Sequence, residues 1–122
     1  MIEGKNSYES GIECARNLLI QSSRPAVIFA NNDEMAAGVL KVAHEMGIRI
    51  PEELSIAGFD DNLLASRVIP SLTTVKRPVT AMASLAAKKI IAMIENVPTD
   101  EMEDYLVKPH LIIRESTRKA EK

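Results

Sequence analysis

The sequence predicts an α/β fold built on a parallel sheet with helices between its strands. Two short apolar runs, AVIFA (26–30) and LSIAGF (54–59), have the length and composition of strands that are buried on both faces. A helical pattern at 34–46 separates them, and a strand, helix and strand joined by short loops form a crossover unit with parallel strands. The runs end at Asn31–Asp33 and Asp60–Asn62, on the edge where such sheets bind ligands.

Apolar residues at helical spacing predict three helices. The first covers 8–20, after Ser7 as N-cap, and the second covers 34–46 and ends at Gly47. The third covers 78–95, because proline is well suited to the first position of a helix. The apolar side of this third helix carries Met82, Leu85, Ala86, Ile90, Met93 and Ile94.

Two further strands complete the predicted sheet. Residues 72–76 (LTTVK) have the β-branched composition of a short strand. An acidic loop at 96–104 follows the third helix, and residues 106–116 form the closing strand. This strand is expected at an edge of the sheet, because Pro109 has no amide proton to donate to a neighbour.

Composition limits the function classes. The chain has 122 residues, enough for one domain, and a net charge of −2 with 3% aromatic residues, so it carries no general nucleic-acid-binding surface. Cys14 is the one cysteine, which excludes an intrachain disulfide, and its position in an apolar pattern predicts a buried small hydrophobe. Residues 1–10 lack the pattern of a signal peptide, and no apolar run is long enough to span a bilayer. We therefore expect a cytoplasmic protein without membrane contact.

The polar residues after the two strands allow two interpretations. Asn32 and Asp33 are both good helix N-caps, so one of them is expected to cap the second helix and the other to face a cleft. Asp60 and Asp61 are adjacent on an extended chain and point in opposite directions. One of this pair is therefore expected to face the cleft, where a carboxylate suits the vicinal hydroxyls of a sugar or the ring N–H groups of a base, and the other to make a structural contact.

Few other residues carry chemistry. Arg77 is either a solvated surface charge or a clamp for an acidic group of a ligand. His44 and His110 are far apart and have no third partner at metal-ligand spacing, so no metal site is expected. No nucleophile motif or phosphate-binding loop is present in the sequence. We therefore predict a protein that is not an enzyme, with no cofactor and no catalytic residues.

Four segments in this order resemble the C-terminal part of the effector-binding region of LacI/GalR-type transcriptional repressors. They are SYESGIECARNLL, RPAVIFANNDEMAAGVLKVAHEMGIRIPEELSIAGFDD, PSLTTVKRPVTAMASLAAKKII and LIIRESTR. The segments keep the spacing of the family and together cover nearly the whole chain. The pairing of LTTV with a closing RES-T favours the repressors over their periplasmic sugar-receptor relatives.

The resemblance implies a three-layer, Rossmann-like lobe of a periplasmic-binding-protein-like type I fold, present here as a truncated fragment (1–122). It also implies that the lobe closes on a small effector, usually a sugar or a nucleobase. Asn32 and Asp60 then stand where the family contacts the effector. Arg77 stands where many members have Gln, and Asn6 where they often have an aromatic ring. The Arg at 77 makes a sugar phosphate or sugar acid a plausible effector.

The resemblance further implies a homodimer. Its contact would be formed by Ala37, Leu40, Lys41, Leu64, Val68 and Ile69. A full family member has a helix-turn-helix headpiece and an N-terminal lobe ahead of this region, so operator DNA would be bound only through that headpiece. The helix and loop at 78–105 normally pack on the N-terminal lobe, so here they need another cover, which either a different docking of the helix or exchange between two chains would supply.

Two other classes of function remain open at this point. A periplasmic or extracellular sugar receptor is the first, and a signal peptide upstream in the gene would favour it. A small α/β enzyme is the second, and it would require a nucleophile or a bound metal beside Asp60.

Overall fold

The computed structural model of the protein describes residues 1–98 and 107–120. Its elements alternate between helix and strand along most of the chain. They are α1 (Tyr8–Leu19), β1 (Val27–Phe29), α2 (Asp33–Glu45), β2 (Ser55–Asp60), α3 (Leu63–Arg67), β3 (Thr73–Lys76), α4 (Val79–Ile94) and β4 (His110–Ile112). The predicted loop at 96–104 and the closing strand at 106–116 lie partly outside the described residues.

The four described strands form one sheet in the order β1-β2-β3-β4. Both β1 with β2 and β2 with β3 pair in parallel, which confirms the predicted α/β class. The strand β4 lies at one edge of this sheet, as Pro109 predicts, and Pro109 itself precedes the strand. The chain divides into two compact units, Met1–Lys76 with Leu111–Lys122, and Arg77–His110.

The core of the first unit lies between α2 and the sheet. Fully or almost fully buried side chains come from both layers, among them Ala36, Val42, Leu54, Ile56 and Leu72. Helix α1 packs against α2 and adds Ala15 and Leu19 to the same core. The two helices begin as predicted, since Ser7 accepts a hydrogen bond from Ser10 N and Asn32 accepts one from Met35 N.

Strand β1 is not buried on both faces, so that prediction is wrong. Ile28 belongs to the core and is 8% exposed, whereas Val27 and Phe29 are 60% and 62% exposed. The reason is that side chains alternate between the two faces of a strand: one face of β1 meets the core, and the other has no covering layer among the described residues of this unit. Cys14 was expected to be buried, but it is half-buried, and its Sγ donates to the Glu3 carbonyl at 3.5 Å.

Helix α3 was not predicted. It is five residues long, which is too short to show helical periodicity, and it begins where Asn62 Oδ1 accepts a hydrogen bond from Leu64 N. Helix α4, in the second unit, follows the predicted span closely, with Pro78 as its N-cap instead of its first residue. No residue of α4 is buried, and the predicted apolar residues Met82, Ile90, Met93 and Ile94 are all exposed. Within residues 1–98 and 107–120, no helix has the length and apolar character needed to cross a bilayer.

Candidate functional site

The carboxyl ends of β1 and β2 lie side by side. Phe29 is the register partner of Ala57, and Ala30 N donates to the Ala57 carbonyl at 2.8 Å. Asn32 follows Phe29, and Asp60 follows Ala57, by the same number of residues. The two residues therefore leave adjacent parallel strands at the same edge of the sheet, which is the placement that the sequence predicts.

Asn32 joins the start of α2 to the segment before α1. Its Oδ1 accepts a hydrogen bond from Met35 N at 2.8 Å, and its Nδ2 donates to the Asn6 carbonyl at 2.9 Å. Asn31 Nδ2 also donates to Asn6 Oδ1, and Asn6 has a left-handed backbone with φ 56°. A carboxamide has two donors and two acceptor lone pairs, so these bonds leave Asn32 one of each. The structure thus brings the predicted residues Asn6 and Asn32 together.

Asp60 and Asp61 both have a positive φ angle, a backbone conformation that residues with a side chain rarely adopt. Their φ angles are 114° and 54°, and such conformations cost about 1–3 kcal/mol each and cluster at functional sites. Asp61 is the structural member of the pair, because Arg114 Nη2 donates to its Oδ1 at 2.6 Å and Lys76 Nζ lies 3.8 Å from its Oδ2. The expectation that one of the two aspartates makes a structural contact is therefore confirmed for Asp61.

Asp33 is fully buried, and its carboxyl is bound by the turn after β2 and by β3. Its Oδ1 accepts from Thr74 Oγ1 at 2.6 Å, and its Oδ2 accepts from Asn62 N at 2.9 Å. Burial raises the pKa of Asp33 above its usual range, and the nearby Asp60 and Asp61 act in the same direction, against the two hydrogen bonds. Asn32 is thus the helix cap, and Asp33, which sequence reasoning left as an alternative for the cleft, is enclosed by protein.

The closing segment of the chain contacts the beginnings of β2 and β3, and its Arg114 also reaches the turn after β2. Arg114 Nη1 donates to the Leu72 carbonyl at 2.8 Å, besides its bond to Asp61. The buried Ser116 donates through Oγ to the Ile56 carbonyl at 2.6 Å and accepts from Thr73 N at 2.8 Å. Sequence reasoning did not find these roles, because the partners are more than forty residues away. Their one sequence signal is the RES-T motif itself.

The family model described as a periplasmic binding protein-like domain matches residues 2–117. The chain belongs to this family. The probable HTH-type transcriptional repressor ExuR of Bacillus subtilis is 33% identical over 118 residues, which are 97% of this chain and 35% of that protein. The chain thus spans about a third of the length of the curated relatives it matches.

Solved structures agree with this assignment. A LacI family regulator from Bifidobacterium animalis subsp. lactis superposes with a TM-score of 0.89 at 31% identity, over 98% of this chain and 44% of that one. A LacI family regulator from Arthrobacter sp. FB24, in complex with lactose, gives a TM-score of 0.82 at 28% identity, over 94% of this chain and 43% of that one. This chain therefore has the fold of part of the periplasmic binding protein-like domain found in LacI family regulators.

Arg77 belongs to the second unit of this periplasmic binding protein-like chain. It is exposed and follows β3 directly. Among residues 1–98 and 107–120, no group of three His, Cys, Asp or Glu side chains has the arrangement of a metal site. His44 is exposed near the C-terminal end of α2, and His110 begins β4.

The residues predicted for a dimer contact differ in their exposure. Ala37 and Leu40 are 6% and 7% exposed, so the fold of one chain already buries them. Leu64 and Val68 are half-buried, Lys41 is exposed beside its helix partner Glu45, and Ile69 is 93% exposed. Leu40 and Ile69 also line a cavity of about 490 Å³ with His44, Ile48, Ile50 and Pro70.

Proposed function

We propose that this chain is the effector-sensing part of a LacI-type transcriptional regulator in the cytoplasm. In this proposal it binds a sugar or a sugar derivative at the ends of β1 and β2 and performs no catalysis. The effector then changes operator binding by a helix-turn-helix segment outside this chain. The observation that carries the proposal is the pair Asn32 and Asp60, which follow adjacent parallel strands at one edge of the sheet.

The chemistry of this pair fits a polyhydroxylated ligand. A carboxylate accepts two or more hydrogen bonds and suits vicinal hydroxyls, whereas a carboxamide both donates and accepts. The positive φ of Asp60 is the kind of backbone strain that accumulates where a ligand is held. The related regulator solved with lactose supports a sugar as the class of effector.

Arg77 supports a narrower choice within this class. A guanidinium binds carboxylate or phosphate through two parallel hydrogen bonds, so a sugar acid or sugar phosphate is the effector that would use it best. We propose Arg77 and Asn6 as effector-binding residues in addition to Asn32 and Asp60.

The test is isothermal titration calorimetry on the full gene product with lactose, glucuronate and glucose 6-phosphate. We expect glucuronate or glucose 6-phosphate to bind, and Asp60→Asn to weaken that binding about 10- to 100-fold, because a hydrogen bond to a charged group contributes about 1.5–3 kcal/mol. Glu52→Gln removes an acidic charge before β2, at the opposite end of this strand, and should leave the affinity unchanged. Binding of lactose alone would contradict the role of Arg77, and equal loss in both variants would contradict the role of Asp60.

The effector can control DNA binding only if it binds one conformation of the protein more tightly than the other. A gel shift with operator DNA should therefore respond to the sugar in the full gene product. This chain alone, with its net charge of −2, is expected to give no specific retardation. Specific retardation by the chain alone would contradict the proposal that a separate helix-turn-helix segment binds the operator.

We also propose that the protein is a homodimer through the surface formed by α2 and α3. We define the α2–α3 surface as Lys41, Leu64, Val68 and Ile69, with Ala37 and Leu40 beneath it. The support is the exposure of Ile69 beside an apolar cavity, which an isologous contact would cover on both copies. Exchange of α4 between two chains is a second way to form a dimer, and it would cover the apolar side of this helix.

A further inference from the structure

The carboxyl of Asp33 joins three segments of the chain at the strand ends. Its own backbone begins α2, its Oδ2 accepts from Asn62 N in the turn after β2, and its Oδ1 accepts from Thr74 Oγ1 in β3. Thr74 Oγ1 in turn lies 3.4 Å from Asp61 N, which donates to it. Asp33 and Thr74 are both fully buried, so solvent does not compete for these bonds.

The turn that these bonds reach is the one that carries Asp60. Two successive residues in it have positive φ angles, 114° at Asp60 and 54° at Asp61, and a chain relaxes from such angles unless its surroundings hold it there. Asp33 holds the backbone at Asn62, Thr74 holds it at Asp61, and Arg114 holds the side chain of Asp61 from the closing segment. Asp60 is thus followed directly by two fixed residues.

We propose that Asp33 is a positioning residue: together with Thr74 it holds the turn Asp60–Asn62 in the one shape in which Asp60 can meet the effector. The part that concerns the effector rests on the function proposed above. Asp33 itself touches no effector in this scheme, because its carboxyl is enclosed by protein. Its contribution passes through the backbone of Asp61 and Asn62.

Gly58 is part of the same arrangement. A Cβ atom at position 58 would lie 2.4 Å from Asp33 Oδ1, which is closer than a Cβ atom approaches a neighbouring heavy atom in real proteins. Residue 58 must therefore be glycine for the Asp33 carboxyl to reach both of its donors. This explains the glycine in the GFDD segment by the space that the carboxyl needs.

Hydrogen exchange on the chain without effector tests the positioning role directly. In Asp33→Ala both carboxyl oxygens are lost, so Asn62 N has no acceptor there and we expect its amide to exchange about 10- to 100-fold faster. The amide of Ile56 lies in β2 and donates to the Ser116 carbonyl. It serves as the internal control and should keep its protection from exchange. Equal loss at both amides would mean that the variant is only less stable, and unchanged exchange at Asn62 would mean that Asp33 does not hold the turn.

Two variants of Thr74 provide a second test in case Asp33→Ala does not fold. Thr74→Val removes the hydroxyl with almost no change of shape, and Thr74→Ser keeps the hydroxyl. We expect faster exchange at Asp61 and Asn62 in Thr74→Val and a return to within about twofold of the original rate in Thr74→Ser. Equal behaviour of the two variants would contradict a role for the Thr74 hydroxyl.

A binding measurement then connects the turn to the effector. It uses whichever of lactose, glucuronate and glucose 6-phosphate binds the unsubstituted protein, and we expect about tenfold weaker binding in Thr74→Val and recovery in Thr74→Ser. Faster exchange at Asn62 with unchanged sugar affinity would overturn the link to the effector. If none of the three sugars binds, the proposed function fails, while the exchange experiment still decides whether Asp33 and Thr74 hold the turn.

Discussion

The two ends of helix α2 present opposite kinds of surface. At its N-terminal end, Asn32 and Asp33 lie in a network of directed hydrogen bonds that joins four segments of the chain. At its C-terminal end, Ile48, Ile50 and Ile69 line a cavity of about 490 Å³, and Ile69 is almost fully exposed. One end of the helix therefore carries a network of directed side-chain hydrogen bonds, whereas the other borders a cavity that these isoleucines line together with His44, Arg49 and Glu52. We call these the polar end and the apolar end of α2.

The difference indicates what each end can recognise. Hydrogen bonds depend on direction, so a rigid polar edge selects a ligand by the arrangement of its hydroxyls. Apolar contact depends mainly on the area removed from water, so the other end suits a broad protein surface. The effector site belongs with the first end, and the proposed dimer contact belongs with the second.

The largest expected effect comes from Gly58 at the polar end. Gly58→Ala forces a methyl group against the buried Asp33 carboxyl, and we expect a loss of about 3 kcal/mol in the free energy of unfolding. Gly47→Ala is the matched change at the other end of α2. Gly47 has φ +69° and no atom near its missing Cβ, so backbone strain alone should cost about 1 kcal/mol.

Urea denaturation of the two glycine variants makes this comparison. A larger loss at Gly58 than at Gly47 means that space at the Asp33 carboxyl is the limiting factor. Equal losses would mean that the polar end tolerates a shift of the carboxyl, and the rigidity that we assign to it would be wrong.

The second prediction concerns the apolar end, where we expect a change in the dissociation constant of the dimer and not in the free energy of unfolding. Ile69→Asp places a charge in the α2–α3 surface, and we expect the dissociation constant of the dimer to rise about 10- to 100-fold, because burying such a side chain is worth about 1.5–3 kcal/mol. Sedimentation velocity over a range of concentrations measures this change. The free energy of unfolding of the monomer should stay the same, since Ile69 is 93% exposed.

Ile20→Asp is the control for that experiment. Ile20 is 80% exposed at the end of α1 and does not line the cavity, so its substitution should leave the dimer intact. Dissociation by Ile20→Asp but not by Ile69→Asp would place the contact elsewhere. A chain that stays monomeric at tens of micromolar would contradict the dimer altogether.

The elements of the fold were predictable because their signals are local. Helix α1 was predicted at 8–20 and is observed at Tyr8–Leu19, and α2 was predicted at 34–46 and is observed at Asp33–Glu45. Caps and apolar spacing lie within a few residues of each helix end, so the sequence contains the information. The exposure of Val27 and Phe29 was not predictable in this way, because it depends on what covers β1.

The hydrogen-bond network of the site was not predictable, because the residues that it joins are far apart in sequence. Asn32 and Asp33 are equally good caps on local grounds, and what separates them is contact with Asn62 and Thr74, 29 and 41 residues away from Asp33. The bond from Arg114 to Asp61 spans 53 residues. A single sequence indicates that such residues are polar and near a strand end, but it does not pair them.

The third prediction concerns the bond by which Arg114 of the closing segment holds Asp61 at the polar end. Arg114→Met leaves the carboxylate of Asp61, whose side chain is 12% exposed, without its closest donor, and we expect a loss of about 2 kcal/mol in the free energy of unfolding. Arg49→Met breaks an exposed pair with Glu53 near the apolar end and should leave the free energy of unfolding almost unchanged, because solvent screens exposed ion pairs. Chemical denaturation of both variants measures the difference, and similar losses would contradict the anchoring role of Arg114.

The smallest effect is the pH dependence that Asp33 gives to folding. Burial raises the pKa of Asp33 in the folded protein, so the unfolded chain loses this proton first as the pH rises. The contribution of Asp33 to stability is therefore complete below its unfolded pKa of about 4 and is lost as the pH rises through the higher folded value.

Comparison with Asp33→Asn isolates this contribution from that of other carboxyls. Glu115, for example, has its pKa lowered by hydrogen bonds from the backbone and side chain of Ser71, so it acts in the opposite direction in both proteins and cancels. The stability of the original chain minus that of Asp33→Asn should fall from pH 4 to pH 7, as measured by urea denaturation at each pH. A difference that rises over this range would mean that the donors Asn62 N and Thr74 Oγ1 outweigh burial, and that Asp33 holds the turn as a stabilised carboxylate.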